Sequence, residues 1–91
     1  MHAVLVSVTI EAGKMEDARR MLTAEIVPMV KAAEGFVAGY WLEPQGDKGW
    51  STVIFDTEEH ARAAAPPVGS RPGGAPVVVD DVEFREVIAS A

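Results

Sequence analysis

The order of two hydrophobic periodicities is the feature that most constrains how this chain can fold. Apolar residues alternate in some segments, as in a β-strand, and recur every three or four residues in others, as in an amphipathic helix. The strand-like segments are 3–10, 36–43, 50–56 and 77–88, and the helix-like segments are 14–34 and 57–65. The order βαββαβ predicts an α+β, ferredoxin-like fold, in which both helices cover one face of a four-stranded antiparallel sheet.

Proline, glycine and acidic residues predict where these elements bend, begin or end. Pro28 lies inside the first helix-like segment, where its missing N–H and its clash with the preceding turn predict a kink or a break. Gly35 is placed to end that helix. Asp56, with Glu59 three residues later, resembles a capping box for the second helix. The segment 66–76 is rich in Pro and Gly and predicts a loop, and the last strand is expected to be broken or bulged at 80–81.

The hairpin between the two middle strands determines which side chains share a face of the sheet. Either a two-residue turn at 46–47 or a four-residue loop at 45–48 would place Tyr40 opposite Val53 and Trp41 opposite Thr52. Tyr40 is then expected beneath the helices, and Trp41 is expected on the outer face.

The outer face of the predicted sheet is apolar. Its large side chains are Leu5, Val37, Trp41, Trp50 and Ile54. Burial of each is worth roughly 1.5–3 kcal/mol, so their sum is comparable to the roughly 5–15 kcal/mol that stabilises a whole domain. Because such a surface in water promotes association, we expect a homodimer formed through this face.

Length, charge and composition narrow the class of protein. Residues 1–91 form one domain. The net charge of −6 without a basic cluster argues against nucleic-acid binding and against an anionic membrane surface. No apolar run reaches the roughly 18–20 residues that span a bilayer, and the N-terminus lacks the basic start of a signal peptide, so a cytoplasmic location is the default expectation. The chain has no cysteine, and its two separate histidines form no metal motif.

Several segments are shared with a known superfamily. They are TIEAGK after the first strand, AAEGFVAGYWLEP at the second, VIFDTEEHARAAA after the hairpin and VEFREV near the C-terminus. In these segments the chain resembles the dimeric α+β barrel superfamily, and most closely its antibiotic biosynthesis monooxygenase-like branch. The resemblance implies two sheets that face each other across a dimer, with a pocket between each sheet and its helices. Roles in that superfamily range from cofactor-free oxidation of polyketide-type aromatics to haem degradation and lactone isomerisation.

The haem-degrading members differ from this chain at their site. They have an Asn where this chain has Val6 and a Trp where it has Ala64. Their haem-binding His follows the second helix, where this chain has the loop 66–76. We therefore expect no haem, and no other cofactor is implied.

The resemblance and the strand pattern together predict a small-molecule pocket beneath the helices. The predicted lining residues are Val6, Val8, Leu22, Met29, Phe36, Tyr40, Phe55 and Arg71. Arg71 would meet an anionic group if the loop 66–76 folds over the pocket as a lid.

Tyr40 and His60 are the candidate catalytic residues. His60 titrates near neutrality, but beside two glutamates on a short helix it is equally typical of a solvated surface. Tyr40 could donate its hydroxyl into the pocket or serve as a core aromatic residue. Glu43, expected beside Trp50, would be a base if desolvation raised its pKa, whereas at a hairpin end it would be solvated.

Two classes of function fit these residues. The first is a small dimer of unassigned activity that binds a small apolar or aromatic molecule. The alternative is a cofactor-free monooxygenase or isomerase that acts on an aromatic, polyketide-like metabolite. The alternative needs a base that removes a proton from the substrate, and the sequence offers no convincing one.

Overall fold

The computed structural model describes residues 1–91 and has the predicted order of elements. The strands are β1 (His2–Ile10), β2 (Phe36–Trp41), β3 (Lys48–Phe55) and β4 (Val77–Glu86). The helical segments are α1 (Met15–Met21), a π-helical segment (Leu22–Ile26), α2 (Val27–Lys31) and α3 (Glu58–Ala64), and a 3-10 turn covers Pro72–Gly74. The four strands form an antiparallel sheet in the order β2-β3-β1-β4, which is compatible with a ferredoxin-like fold. No helix combines the length and the apolar character needed to cross a membrane.

The core lies between the central strands and α3. Val4 pairs with Val53 across β1 and β3 and with Phe84 across β1 and β4, so these side chains share the helix-covered face. The buried cluster consists of Val4, Val6, Val53, Phe55, Ala61 and Val79. Ala61 is completely buried, which shows that α3 packs directly on the sheet.

The first helix, comprising α1, the π-helical segment and α2, spans residues 15–31 and is shorter than the predicted 14–34. The predicted break at Pro28 does not occur. Instead, the turn before it widens, and the N–H of Val27 donates to the carbonyl of Leu22, five residues earlier. This π-helical geometry precedes the position where proline cannot donate a hydrogen bond. The helix ends at Lys31, so Gly35 does not end it but lies in the following turn with a positive φ of 82°.

The second helix begins one residue later than a capping box at Asp56 would require. Thr57 is the N-cap, and its hydroxyl accepts a hydrogen bond of 3.1 Å from the backbone N–H of His60. Asp56 is free to bond elsewhere because threonine performs the capping.

The predicted register of the hairpin is wrong by one residue, although the first of the two predicted turns, at 46–47, is present. Gln45 pairs with Lys48 around the expected turn at 46–47. The N–H of Leu42 donates to the carbonyl of Trp50, so the segment just after β2 carries an extra residue between these two pairs. The pairing shifts by one residue near Pro44, which has no N–H to donate to the neighbouring strand.

The slip exchanges the faces of the two adjacent aromatic residues because a one-residue shift inverts every side chain. Tyr40 lies opposite Thr52 on the outer face and is 62% exposed. Trp41 lies opposite Ser51 and contacts the core under the helices. The predictions for Tyr40 and Trp41 are therefore both reversed.

A second bulge in β2 restores the predicted side for Phe36. The pairing shifts between Phe36 and Ala38, which leaves Val37 as the extra, exposed residue. Phe36 consequently lies opposite Phe55, and the two rings meet edge to face with centroids 6.4 Å apart.

The outer face keeps only part of its predicted apolar character, because β4 adds Asp81, Glu83 and Arg85 to the same face. Leu5, Trp50 and Ile54 lie there as expected, and Tyr40 takes the place assigned to Trp41. Trp50 is 57% exposed.

The predicted bulge in the last strand is confirmed. It falls at Asp80, between the pairs of Ser7 with Asp81 and Val8 with Val79. The hydroxyl of Thr9 donates to Asp80 over 2.6 Å and accepts from Lys48 over 2.6 Å, so polar bonds tie three strands together at this end.

Candidate ligand-binding pocket

A cavity of about 230 Å³ lies between the sheet and the first helix. Residues of the two central strands form its floor, namely Val4, Val6, Val8, Gly49, Ser51 and Val53. The apolar side of the first helix forms its roof through Met15, Ala18, Leu22, Ile26 and Val30. Trp41 and Leu42 line the side towards β2. The cavity is therefore predominantly apolar, which is typical of small-molecule sites.

The cavity exists because the first helix does not pack closely on the sheet. None of the residues of α1, the π-helical segment or α2 is buried, although Leu22, Ile26 and Val30 face the strands. The floor beneath them contains two small residues, Gly49 and Ser51. A Cβ atom at Gly49 would lie 3.0 Å from Val8, so the floor has little room for a larger side chain at that position.

The Pro- and Gly-rich loop forms another wall. Pro66, Pro72 and Ala75 line the cavity. The loop is attached to β4, since the N–H of Gly69 donates to the carbonyl of Val79 over 2.7 Å. Arg71 does not reach the cavity and lies 3.5 Å from a carboxylate oxygen of Glu11.

Two charged residues, Arg19 from α1 and Glu43 after β2, lie at the mouth of the cavity. Both guanidinium ends of Arg19 donate to the carboxylate, with Nη1 at 3.0 Å from Oε2. This bonding holds the pKa of Glu43 below its usual value and raises the pKa of Arg19. Of the two alternatives for Glu43, the solvated one is confirmed, since its side chain is 72% exposed, and the hydrogen bond from Arg19 lowers its pKa by more than desolvation raises it.

Four of the predicted lining residues do line the cavity: Val6, Val8, Leu22 and Phe55. Four do not. Met29 is 55% exposed on the far side of the helix, Phe36 packs against Phe55 outside the cavity, Tyr40 faces outwards, and Arg71 bonds to Glu11. Trp41, Arg19, Gly49 and Ser51 are among the lining residues that the sequence did not predict. Correct register would have found Trp41, and helical spacing from Met15 and Leu22 would have found Arg19.

The candidate catalytic residue His60 lies outside the cavity, in a polar cluster at the junction of the two helices. Its Nδ1 is 2.6 Å from Oδ1 of Asp56, and its Nε2 is 3.6 Å from a carboxylate oxygen of Glu34. The hydrogen bond to Asp56 raises the pKa of His60, and the attraction of nearby carboxylates adds to this effect. His60 therefore links the turn that follows the first helix to the start of α3.

His2 also lies away from the cavity. Its Nδ1 is buried without a hydrogen-bond partner, and its Nε2 is 3.8 Å from a carboxylate oxygen of Glu58. No group of three or more His, Asp or Glu side chains is arranged to hold a metal ion.

Comparison of the chain with known families, with curated proteins and with solved structures found no match. The resemblance to the dimeric α+β barrel superfamily therefore stays a prediction, and functional arguments depend on the geometry of the cavity.

Proposed function

We propose that this protein binds a small apolar or aromatic molecule in the cavity beneath its first helix. The observation that carries the proposal is that this entire helix, residues 15–31, contains no buried residue. An amphipathic helix normally owes most of its stability to packing of its apolar face. A ligand between helix and sheet would supply that packing.

The stability that a ligand would add depends on the apolar area that it covers. Leu22, Ile26 and Val30 remain partly exposed above a floor of valines. Removing apolar surface from water contributes roughly 25 cal/mol per Å². Each half-covered side chain that a ligand buries therefore favours the complex, and the ligand gains the same term for its own surface.

The geometry supports binding more than the monooxygenase or isomerase alternative. Glu43 is the one carboxylate that lines the cavity, and Arg19 keeps its pKa low, which makes it a poor base. Tyr40 and His60 lie outside the cavity. Ser51 has no histidine next to it in the lining, so it lacks the activation that a nucleophile needs.

We also propose that two copies associate through the outer face of the sheet. Tyr40 and Trp50 are exposed there at 62% and 57%, beside the apolar side chains of Leu5 and Ile54. A twofold axis through such a patch would bury it against itself. This dimer is the assembly that the superfamily resemblance implies, with Tyr40 in the place first assigned to Trp41.

Native mass spectrometry of protein purified from its own source tests the binding proposal. We expect an additional small mass on the folded protein that is released on denaturation. Ser51→Leu, which fills the cavity floor, should abolish the additional mass. Thr52→Leu is the matched control, because Thr52 is adjacent on β3 but points to the outer face. Retention of the same mass by S51L would contradict the proposal.

A further inference from the structure

We propose that Arg19 is the specificity residue of the cavity and that the ligand carries an anionic group, such as a carboxylate, at one end of an apolar body. The proposal depends on the binding function above and specifies the chemical class of the ligand. It starts from the distribution of charge. Arg19 and Glu43 are the charged residues of the lining, and the rest of it is mostly apolar.

The ion pair at the mouth is open to exchange. The side chains of Arg19 and Glu43 are 50% and 72% exposed. Ion pairs in such solvated positions contribute little net stability. A ligand anion can therefore replace the carboxylate of Glu43 at small cost, because Arg19 keeps a charged partner throughout.

The two members of the pair are not equivalent as ligand receptors. Arg19 is on the helix side that forms the roof, and its long apolar stem can follow a ligand while its planar head binds two oxygens. Glu43 has a shorter side chain and precedes Pro44 at the bulge after β2. It is also the more exposed of the two. Arg19, the hydrogen-bond donor of the pair, is therefore better placed than Glu43 to contact the polar end of a ligand.

The net charge of the chain, −6, opposes an anionic ligand at long range. Salt screens that repulsion beyond about 8 Å at physiological ionic strength. A direct bidentate contact with a guanidinium lies well inside this distance, so contact geometry decides the preference.

Calorimetric titration with three naphthalene compounds that differ only in their polar group tests the inference. The probes are naphthoate, neutral naphthalenemethanol and cationic naphthylmethylamine. We expect naphthoate to bind about tenfold more tightly than the alcohol, which is the size expected for one charge-assisted hydrogen-bonded contact. Arg19→Gln should bring the two affinities together, and Glu43→Gln should strengthen naphthoate binding by removing the competing carboxylate.

Arg20→Gln is the matched control. Arg20 is adjacent on the same helix but bonds to Asp17 over 2.6 Å and does not line the cavity. This variant should keep the preference for naphthoate. Equal affinities for naphthoate and the alcohol, or tightest binding of the amine, would overturn the role of Arg19 while leaving the binding function intact. Failure of all three probes to bind would instead count against the binding function itself.

Discussion

Gly35 is the residue whose replacement the structure opposes most directly. It adopts a φ of 82°, and a Cβ atom there would overlap the Asp56 carboxylate and the His60 ring. Both the backbone strain and the overlap are costly. We expect Gly35→Ala to lower the free energy of unfolding by about 2–4 kcal/mol in urea denaturation.

Gly46→Ala provides the control for Gly35. Gly46 also has a positive φ, 61°, but a Cβ atom added there would have no other atom within 4 Å. Its replacement should lower the free energy of unfolding by about 1 kcal/mol, from backbone strain alone. Equal losses for the two variants would show that the contacts around Gly35 do not matter.

The bond between His60 and Asp56 should make stability depend on pH. The pKa of His60 is raised in the folded protein, mainly by its hydrogen bond to Asp56. Its contribution is therefore fully present below the unfolded pKa of about 6.5 and is lost as pH rises through the folded value. The pKa of Asp56 is lowered by the same bond, so its contribution is lost when pH falls through that lower value.

Urea unfolding of the wild type and of His60→Gln over a range of pH tests this prediction. The difference in stability should be largest at mildly acidic pH and should shrink at alkaline pH. The stability difference between wild type and Asp56→Asn should depend on pH in the same way, because this substitution removes the same hydrogen bond. A difference between wild type and H60Q that stays constant with pH would contradict the assignment.

At the level of the elements, the π-helical segment is the unusual part of the first helix. It ends at Ile26, two residues before Pro28, whose missing N–H and ring disfavour a regular α-helical turn. Pro28→Ala should permit a continuous α-helix and raise the free energy of unfolding by about 1–3 kcal/mol.

Pro72→Ala is the contrasting variant. Pro72 begins the 3-10 turn, a first position that tolerates proline well. Its replacement should leave stability unchanged or lower it slightly. If urea denaturation showed no increase in the free energy of unfolding for P28A, the wide π-helical turn would have to be attributed to something other than proline.

The order of the elements and the turns could be predicted from the sequence, whereas the register of β2 could not. The turn at 46–47 and the bulge at Asp80 follow from local chemistry, because glycine and acidic residues favour these conformations. The register depends on two extra residues in one strand, near Pro44 and at Val37. The first extra residue inverts the faces of the β2 side chains, and the second inverts them again at Phe36. The alternation of apolar residues along the strand does not indicate either one.

The same limit applies to the cavity. The strand pattern correctly supplied Val6, Val8 and Phe55, since alternation along β1 and β3 decides their side. The ion pair of Arg19 and Glu43 joins residues from different elements. Only the tertiary arrangement brings them together, so neither periodicity nor composition could indicate the pair.

For the whole molecule, the outer face of the sheet predicts the assembly. Tyr40→Lys should convert a dimer into a monomer in sedimentation experiments, because it places a charge in the apolar patch. Val68→Lys is the matched control, since Val68 is 64% exposed in the loop and outside the sheet, close to the 62% of Tyr40. A wild-type protein that sediments as a folded monomer at micromolar concentration would contradict the proposed dimer.

The most direct test of the central claim is an NMR titration of the wild type and S51L with naphthalenemethanol. The account predicts that amide shifts concentrate on the cavity floor around Val6 and Val53 and on the roof around Leu22, and that S51L eliminates them. Shifts confined to the outer face around Tyr40 and Ile54, which do not line the cavity, or no shifts at all, would contradict a ligand site beneath the first helix.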